Sequence, residues 1–367
     1  MSLKDGQPKK VAVVGAGICG SLTAWYGQQL GFEVHVYEPD DQKKSCSFTA
    51  AGMLAPMAEL ESAEQTVYQL GMQSLALWPK IIKELEACKN QSPIFYRDNG
   101  TLVVSHRQDD GVFNQFFNSL KAKLSTDFSA QCELMMHQTL EPELKPLGTS
   151  LYLKNEAQVD AHQALGALHT RLQRDSHWHW QHAIDIGPNH VDGEKYDWVF
   201  DCRGLAAAHD IPGLHGVRGE VIMVNAPQVT IQHMVRIMHP RYRIYIVPRE
   251  NGNYMIGATE IQSDDIGPIS VRSTLELLSA AFSVHSGFAE ARILSMDTNA
   301  RPAMFNHLPH IEHKSGLTRI NGLYRHGYLL APAVVAKAFK ELGLDPMNLE
   351  KNEQAELLSE VENEDCI

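Results

Sequence analysis

The sequence predicts an α/β chain of two interleaved parts: a parallel-sheet domain assembled from separated stretches, and a second, α+β domain built on an antiparallel sheet. Three observations predict it. Residues 11–38 read as strand, glycine-rich turn, helix and strand in one unbroken unit. Two later stretches, "YDWVFDCRGLAA" (196–207) and "LTRINGLYRHGYLLAPAVVAKAFKEL" (317–342), each open with a short apolar strand and look like returns to that first sheet. Between them lie segments that alternate apolar and polar residues. The expected division is 8–90, 151–215 and 301–345 for the first domain, 91–150 and 216–300 for the second, and a tail over 346–367.

The first unit carries the most chemistry. "VAVVGAGICG" (11–20) has the apolarity of a secretory signal, but the pattern continues where a cleavage site would end it. Ile18, Leu22, Trp25, Tyr26, Gln29 and Leu30 fall at helical spacing, and "FEVHVYE" then alternates to Glu38. Each residue has a task in holding a dinucleotide. Gly15 permits the sharp turn, Gly17 lets the backbone approach a pyrophosphate on the helix N-terminus, and Gly20 lets helix and strand pack closely. Glu38, 21 residues after Gly17, stands where a carboxylate accepts both ribose hydroxyls and repels a 2′-phosphate. This is a Rossmann-type unit, and it does not by itself distinguish NAD from FAD.

Composition narrows the partners. The 367 residues are 44% hydrophobic and 21% charged, with a formal net charge of -12. That excess of acid argues against nucleic acid, whose nonspecific affinity rests on lysines and arginines. No stretch reaches the roughly eighteen apolar residues of a membrane span. The six cysteines (Cys19, Cys46, Cys88, Cys132, Cys202, Cys366) are scattered without a CxxC pair, as expected of reduced thiols in a cytoplasmic protein. Among eighteen histidines, "SHWHWQHAIDI" (176–186) alternates so that His177, His179 and Gln181 share a strand face. A wet strand face accounts for them, and no metal site is expected.

In the second part, "FYRDNGTLVVSH" (95–106) reads as a hairpin about Asn99 and Gly100. "VRGEVIMVNAP" and "YRIYIVPRENGNYMIGATE" read as sheet strands covered by a helix over "SVRSTLELLSAAFSVH". The last 18 residues hold seven carboxylates against one lysine and read as a solvated end.

In chain order the motifs are "VAVVGAGICG…YE", "SFTAAGMLAPMAE", "DCRGLAA", "RGEV", "YIVPR", "GATE", "ARPA" and "NGLYRHGYLLAP". Together they resemble the flavin-dependent D-amino-acid oxidase family, most closely its glycine-oxidising branch in thiamine biosynthesis. The resemblance runs from about Val11 to Lys337 and is weakest over 107–150 and after 340. "AAGML" and "LYRHGYLLAP" are its most specific parts. It implies a discontinuous FAD-binding domain with non-covalent FAD, the isoalloxazine lying between the domains.

The cofactor residues so implied are Gly15, Gly17, Ile18, Gly20, Glu38, Ser47, Ala51, Gly52, Met53, Ala183, Gly204, Gly327, Tyr328 and Leu329. Small residues from Ala50 to Gly52 let backbone amides approach a flat ring. The "GLYRHGYLLAP" loop would offer donors to the N1 and O2 edge, with a helix from about Ala333 aiming its positive end there. The resemblance also implies that Arg301 and Arg325 clamp a substrate carboxylate, which suits a guanidinium fork, and that Tyr245 adds a hydrogen bond. Arg249 reads as structural. Glu59 and Glu61 match acidic positions near the mouth of the site in relatives, and a solvated helix start accounts for them nearly as well. Glu260 replaces a methionine of some relatives, and "NARPA" lacks a glycine after its proline, which leaves the exact amine open.

The implied activity is oxidation of glycine or a similar small amine, the alternatives being another amine oxidase of the family, for sarcosine or a D-amino acid, or a flavoprotein that acts on a partner protein. Hydride passes to flavin N5, oxygen accepts the electrons to give hydrogen peroxide, and alignment rather than an obligatory base does the work. The implied partners are a small amino-acid substrate, molecular oxygen and thiazole synthase as recipient of the imine. A homo-oligomer is expected, and neither nucleic acid nor membrane is.

Overall fold

Lys10–Val14 (β1) begins the fold because Val11, Ala12, Val13 and Val14 form an apolar run buried on both faces, as a central parallel strand requires. The computed structural model describes residues 9–39, 45–61, 63–87, 92–124, 127–145, 147–241 and 243–344. The acidic segment 346–367, Cys88 and Cys366 lie outside them. From β1 the chain turns at Gly15 into Ile18–Gln29 (α1) and returns as Glu33–Tyr37 (β2). Val11 stands opposite Val34 on one side and Trp198 on the other.

Both expected returns join this sheet. Its order is His310–Lys314, Leu317–Asn321, Trp198–Asp201, β1, β2 and His177–His179, parallel except for the first strand. The histidine strand is shorter than the alternation suggests. It ends at His179, where Gln181 N–H turns back to the His179 carbonyl, so Gln181 does not share its face.

The last helix, Gly327–Glu341, starts six residues before the expected Ala333. Pro332 lies inside it and lacks the N–H that would bond the Tyr328 carbonyl one turn back. Trp78 Nε1 donates to that carbonyl instead, at 2.9 Å. Trp78 is fully buried. Trp78→Phe leaves the carbonyl unpaired and is expected to cost about 1–3 kcal/mol, read from the midpoint of urea unfolding.

The second sheet has eight strands, in the order Arg292–Ala303, His215–Asn225, Asn253–Gly257, Arg243–Pro248, Met234–Met238, Thr101–Ser105, Ser150–Leu153 and Cys132–Met135. It is antiparallel apart from one parallel pair, Met234–Met238 with Thr101–Ser105. Helix Val271–Val284, capped by the Ser270 side chain, lies over it and buries Leu277, Ala281 and Val284 against Ile222, Val224 and Ile256. The boundaries expected at 151 and 301 fall inside strands Ser150–Leu153 and Arg292–Ala303 of this sheet.

The expected hairpin at Asn99 and Gly100 is absent. Tyr96–Arg97 pairs with Ala157–Val159 in a small sheet, whereas Thr101–Ser105 pairs within the large one. A two-residue hairpin of that type needs positive φ at both turn residues. Of the pair only Gly100 has it, at 76°, and its N–H bonds the Glu156 carbonyl. The turn therefore carries the chain from one sheet to the other.

Candidate active site between the sheets

A cavity of about 1420 Å³ runs from the β1 turn to the inner face of the large sheet. Small-ligand pockets ordinarily hold about 300–1,000 Å³, so this one has room for a long ligand and a small one together. At one end, the closeness of turn and helix depends on glycine. A Cβ on Gly15, at φ 89°, would lie 2.8 Å from the Cys202 carbonyl oxygen, and one on Gly20 only 1.7 Å from the Gly15 oxygen. No side chain of its own caps the start of α1; the Ser47 hydroxyl, from a separate loop, accepts the Ile18 N–H at 2.9 Å. That hydroxyl keeps its proton to donate onward.

Glu38 follows β2 at the rim, accepting the Ala16 N–H at 2.5 Å, and burial raises its pKa. Of the expected cofactor residues, Gly15, Gly17, Ile18, Glu38, Ser47, Ala51, Gly52, Met53, Ala183, Gly204, Gly327, Tyr328 and Leu329 line the cavity. Gly20 lies behind it as a packing residue. The Tyr328 phenol is directed away to the Ser47 and Ala161 carbonyls, so it ties the loop to the helix. The start of Gly327–Glu341 has no side-chain cap, and its backbone faces the cavity.

The other end is charged. Tyr245 alternates inward from strand Arg243–Pro248, Arg325 sits in the turn before the last helix, and Glu59 sits in the short helix Pro56–Leu60. Arg325 is committed to two carboxylates, Glu59 at 2.5 Å and Glu260 at 2.8 Å. The Tyr245 hydroxyl donates to Glu59 at 3.0 Å. Glu59 is thus buried rather than part of a solvated helix start, and Glu61 pairs with Arg236 at 2.9 Å. Arg249 binds Gln158 and the Ala51 carbonyl, fixing the loop along the cavity.

Arg301 differs. Its guanidinium donates to the Thr259 carbonyl at 3.0 Å, and no carboxylate lies within ion-pair distance of it among the described residues. It lies over Gly219, diagonally across the antiparallel pair Arg292–Ala303 and His215–Asn225; a Cβ on Gly219 would fall 2.1 Å from its Nη2. Burial lowers the Arg301 pKa, and Arg325 adds repulsion. Sequence reasoning passed over Gly219, although a glycine inside a strand pattern, as in "VRGEV", marks a close approach by backbone or ligand.

Burial alone would raise the pKa of Glu59, but Arg325, His326 and Arg236 hold it down to about 2. Burial takes His326 down to about 4, against the opposing pull of Glu59. Because the folded pKa of Glu59 lies below its ordinary 4.5, its contribution is complete above that pH and fades as pH falls toward about 2. Glu59→Gln is expected to cost about 3 kcal/mol at pH 7. The gap between variant and parent in urea unfolding closes steadily from pH 4.5 downward.

Two sheets enclosing one cavity, from a βαβ glycine turn to a cavity-facing arginine, define a dinucleotide-dependent enzyme. The chain belongs to the FAD dependent oxidoreductase family, DAO, which matches residues 10–342. It is 37% identical over 335 residues to a Rhizobium etli protein assigned as the thiamine biosynthesis oxidoreductase ThiO, covering 91% of this chain and 96% of that one. It is 30% identical to the bifunctional protein ThiO/ThiG of Trichormus variabilis, over 92% of this chain and 54% of the relative. The crystal structure of glycine oxidase from Geobacillus kaustophilus shares the fold, with a TM-score of 0.78 at 23% identity over 89% of this chain and 92% of that one. The glycine cradle, the Ser47 hydroxyl and the cavity volume all fit FAD. Among the described residues no helix is long and apolar enough to cross a membrane.

Proposed function

We propose that this chain oxidises the carbon–nitrogen bond of a small α-amino acid, glycine in the first place, to its imine. The observation that carries the reading is Arg301: a partly buried guanidinium facing the cavity, held by one neutral carbonyl, with donors left for a carboxylate. Arg325 and Tyr245, expected as further clamps, are engaged by Glu59, and in this reading they shape the wall around the substrate. Gly15, Gly17, Ile18, Glu38 and Ser47 would hold the adenosine and pyrophosphate parts of FAD, and Ala51 to Met53 with Gly327 to Leu329 its ring. Bound FAD supplies the two-electron acceptor and passes the electrons to oxygen.

The protein's part is alignment and water exclusion. Glu59, held at about 2, and His326, at about 4, are weak bases at neutral pH, so the amine enters already neutral. The names of the Rhizobium etli and Geobacillus kaustophilus relatives support glycine and thiamine biosynthesis, and the fused ThiO/ThiG relative supports thiazole synthase as recipient of the imine.

Anaerobic titration of the yellow protein with glycine, sarcosine and D-alanine tests this, read as bleaching near about 450 nm. Glycine should bleach the flavin, and readmitted air should restore the colour with hydrogen peroxide formed. A stable flavoprotein that glycine does not bleach contradicts the proposal.

A further inference from the structure

We propose that Glu33, His35 and His177 form a binding site for a divalent transition-metal ion of the zinc class, on the outer edge of the first sheet and apart from the cavity. The register creates it. Glu33 and His35 are two residues apart on β2 and share one face, and His177 stands directly opposite His35 on the neighbouring edge strand. One atom from each residue lies within 4.8 Å of the other two, with Glu33 Oε1 3.0 Å from His35 Nε2 and 3.8 Å from His177 Nε2. Zinc binds nitrogen and oxygen at about 2.0–2.2 Å, which places neighbouring ligands of a tetrahedral ion about 3.3 Å apart. Small rotamer adjustments therefore suffice, and the exposed side leaves the remaining position to water.

Two further features fit a ligand set better than a chance histidine face. His35 is buried and is contacted at Nδ1 by His179 Nε2, 3.0 Å away, as metal-bound imidazoles are oriented by a partner on their second nitrogen. The His177 imidazole stacks on it, with ring centroids 4.4 Å apart, and the His179 ring lies nearly parallel to it at 5.2 Å. Lys10, the cation that acts on these rings, is drawn to the Tyr196 ring and to Glu194. Two imidazoles and one carboxylate suit zinc, nickel or copper(II) rather than magnesium or calcium.

An ion here joins a three-residue edge strand to β2 through side chains. That strand also gives its last carbonyl to the Glu38 N–H, at 3.1 Å. The site therefore braces the adenosine end of the cavity from outside.

The test is calorimetric titration of the full-length, untagged flavoprotein with Zn²⁺ alone, beside His177→Ala and Glu33→Gln. His177 and Glu33 are largely exposed, so neither change opens the protein core. One ion per chain is expected, with affinity at least about tenfold weaker in each variant. Slower amide exchange at residues 177–179 should accompany zinc in the parent only. Absence of one-to-one binding in the parent, or unchanged affinity in both variants, overturns the proposal.

Discussion

Arg301→Gln is expected to lower kcat/KM for glycine by about 30-fold to several-thousand-fold, the equivalent of about 2–5 kcal/mol, while flavin content and folding stability hold. The expectation follows from what Arg301 lacks. It has no ion pair among the described residues, so its removal leaves no buried carboxylate without a partner. Arg325 predicts the opposite balance. Arg325→Gln strips Glu59 of its principal cation inside the protein and should cost about 3–5 kcal/mol of stability. Arg301→Lys should recover only part of the activity, because an ammonium lacks the planar fork. Peroxide-coupled kinetics and urea unfolding of the three variants separate the two arginines. A stable protein that loses glycine affinity through Arg325 alone would reverse their roles.

The second large effect falls on the glycine turn. Gly20→Ala puts a methyl group 1.7 Å from the Gly15 carbonyl oxygen, a backbone atom with nowhere to go. Either α1 or the turn must shift, at a cost of about 1–3 kcal/mol or more, and both border the proposed pyrophosphate seat. The expected product is colourless after gel filtration and melts earlier than the parent. A yellow variant with full flavin content and unchanged melting would show that this contact does not govern the cofactor seat.

What could be read in advance depended on the range of the interactions involved. The β1–α1–β2 unit was legible because its apolar run, glycines and closing glutamate are all local, and Trp198–Asp201 and Leu317–Asn321 carry the same buried signature. The supposed hairpin failed because Asn99 and Gly100 signal a turn without saying which strands it joins; the true partners lie near residues 157 and 234. The last helix begins before the expected Ala333 because Trp78, far along the chain, supplies the hydrogen bond that Pro332 cannot give the Tyr328 carbonyl. The same limit applied at the candidate site. Arg301 and Arg325 look alike in sequence, and they are separated by Glu59, 266 residues before Arg325, and by Glu260, which engage Arg325 and not Arg301.

Anaerobic rapid mixing of parent and Arg301→Gln with glycine and with glycinamide, which lacks the anionic group, shows whether Arg301 reads a substrate carboxylate. The parent should reduce its flavin at least about a hundred times more efficiently with glycine, and the variant should treat the two amines nearly alike. Undiminished preference for glycine in the variant would contradict it.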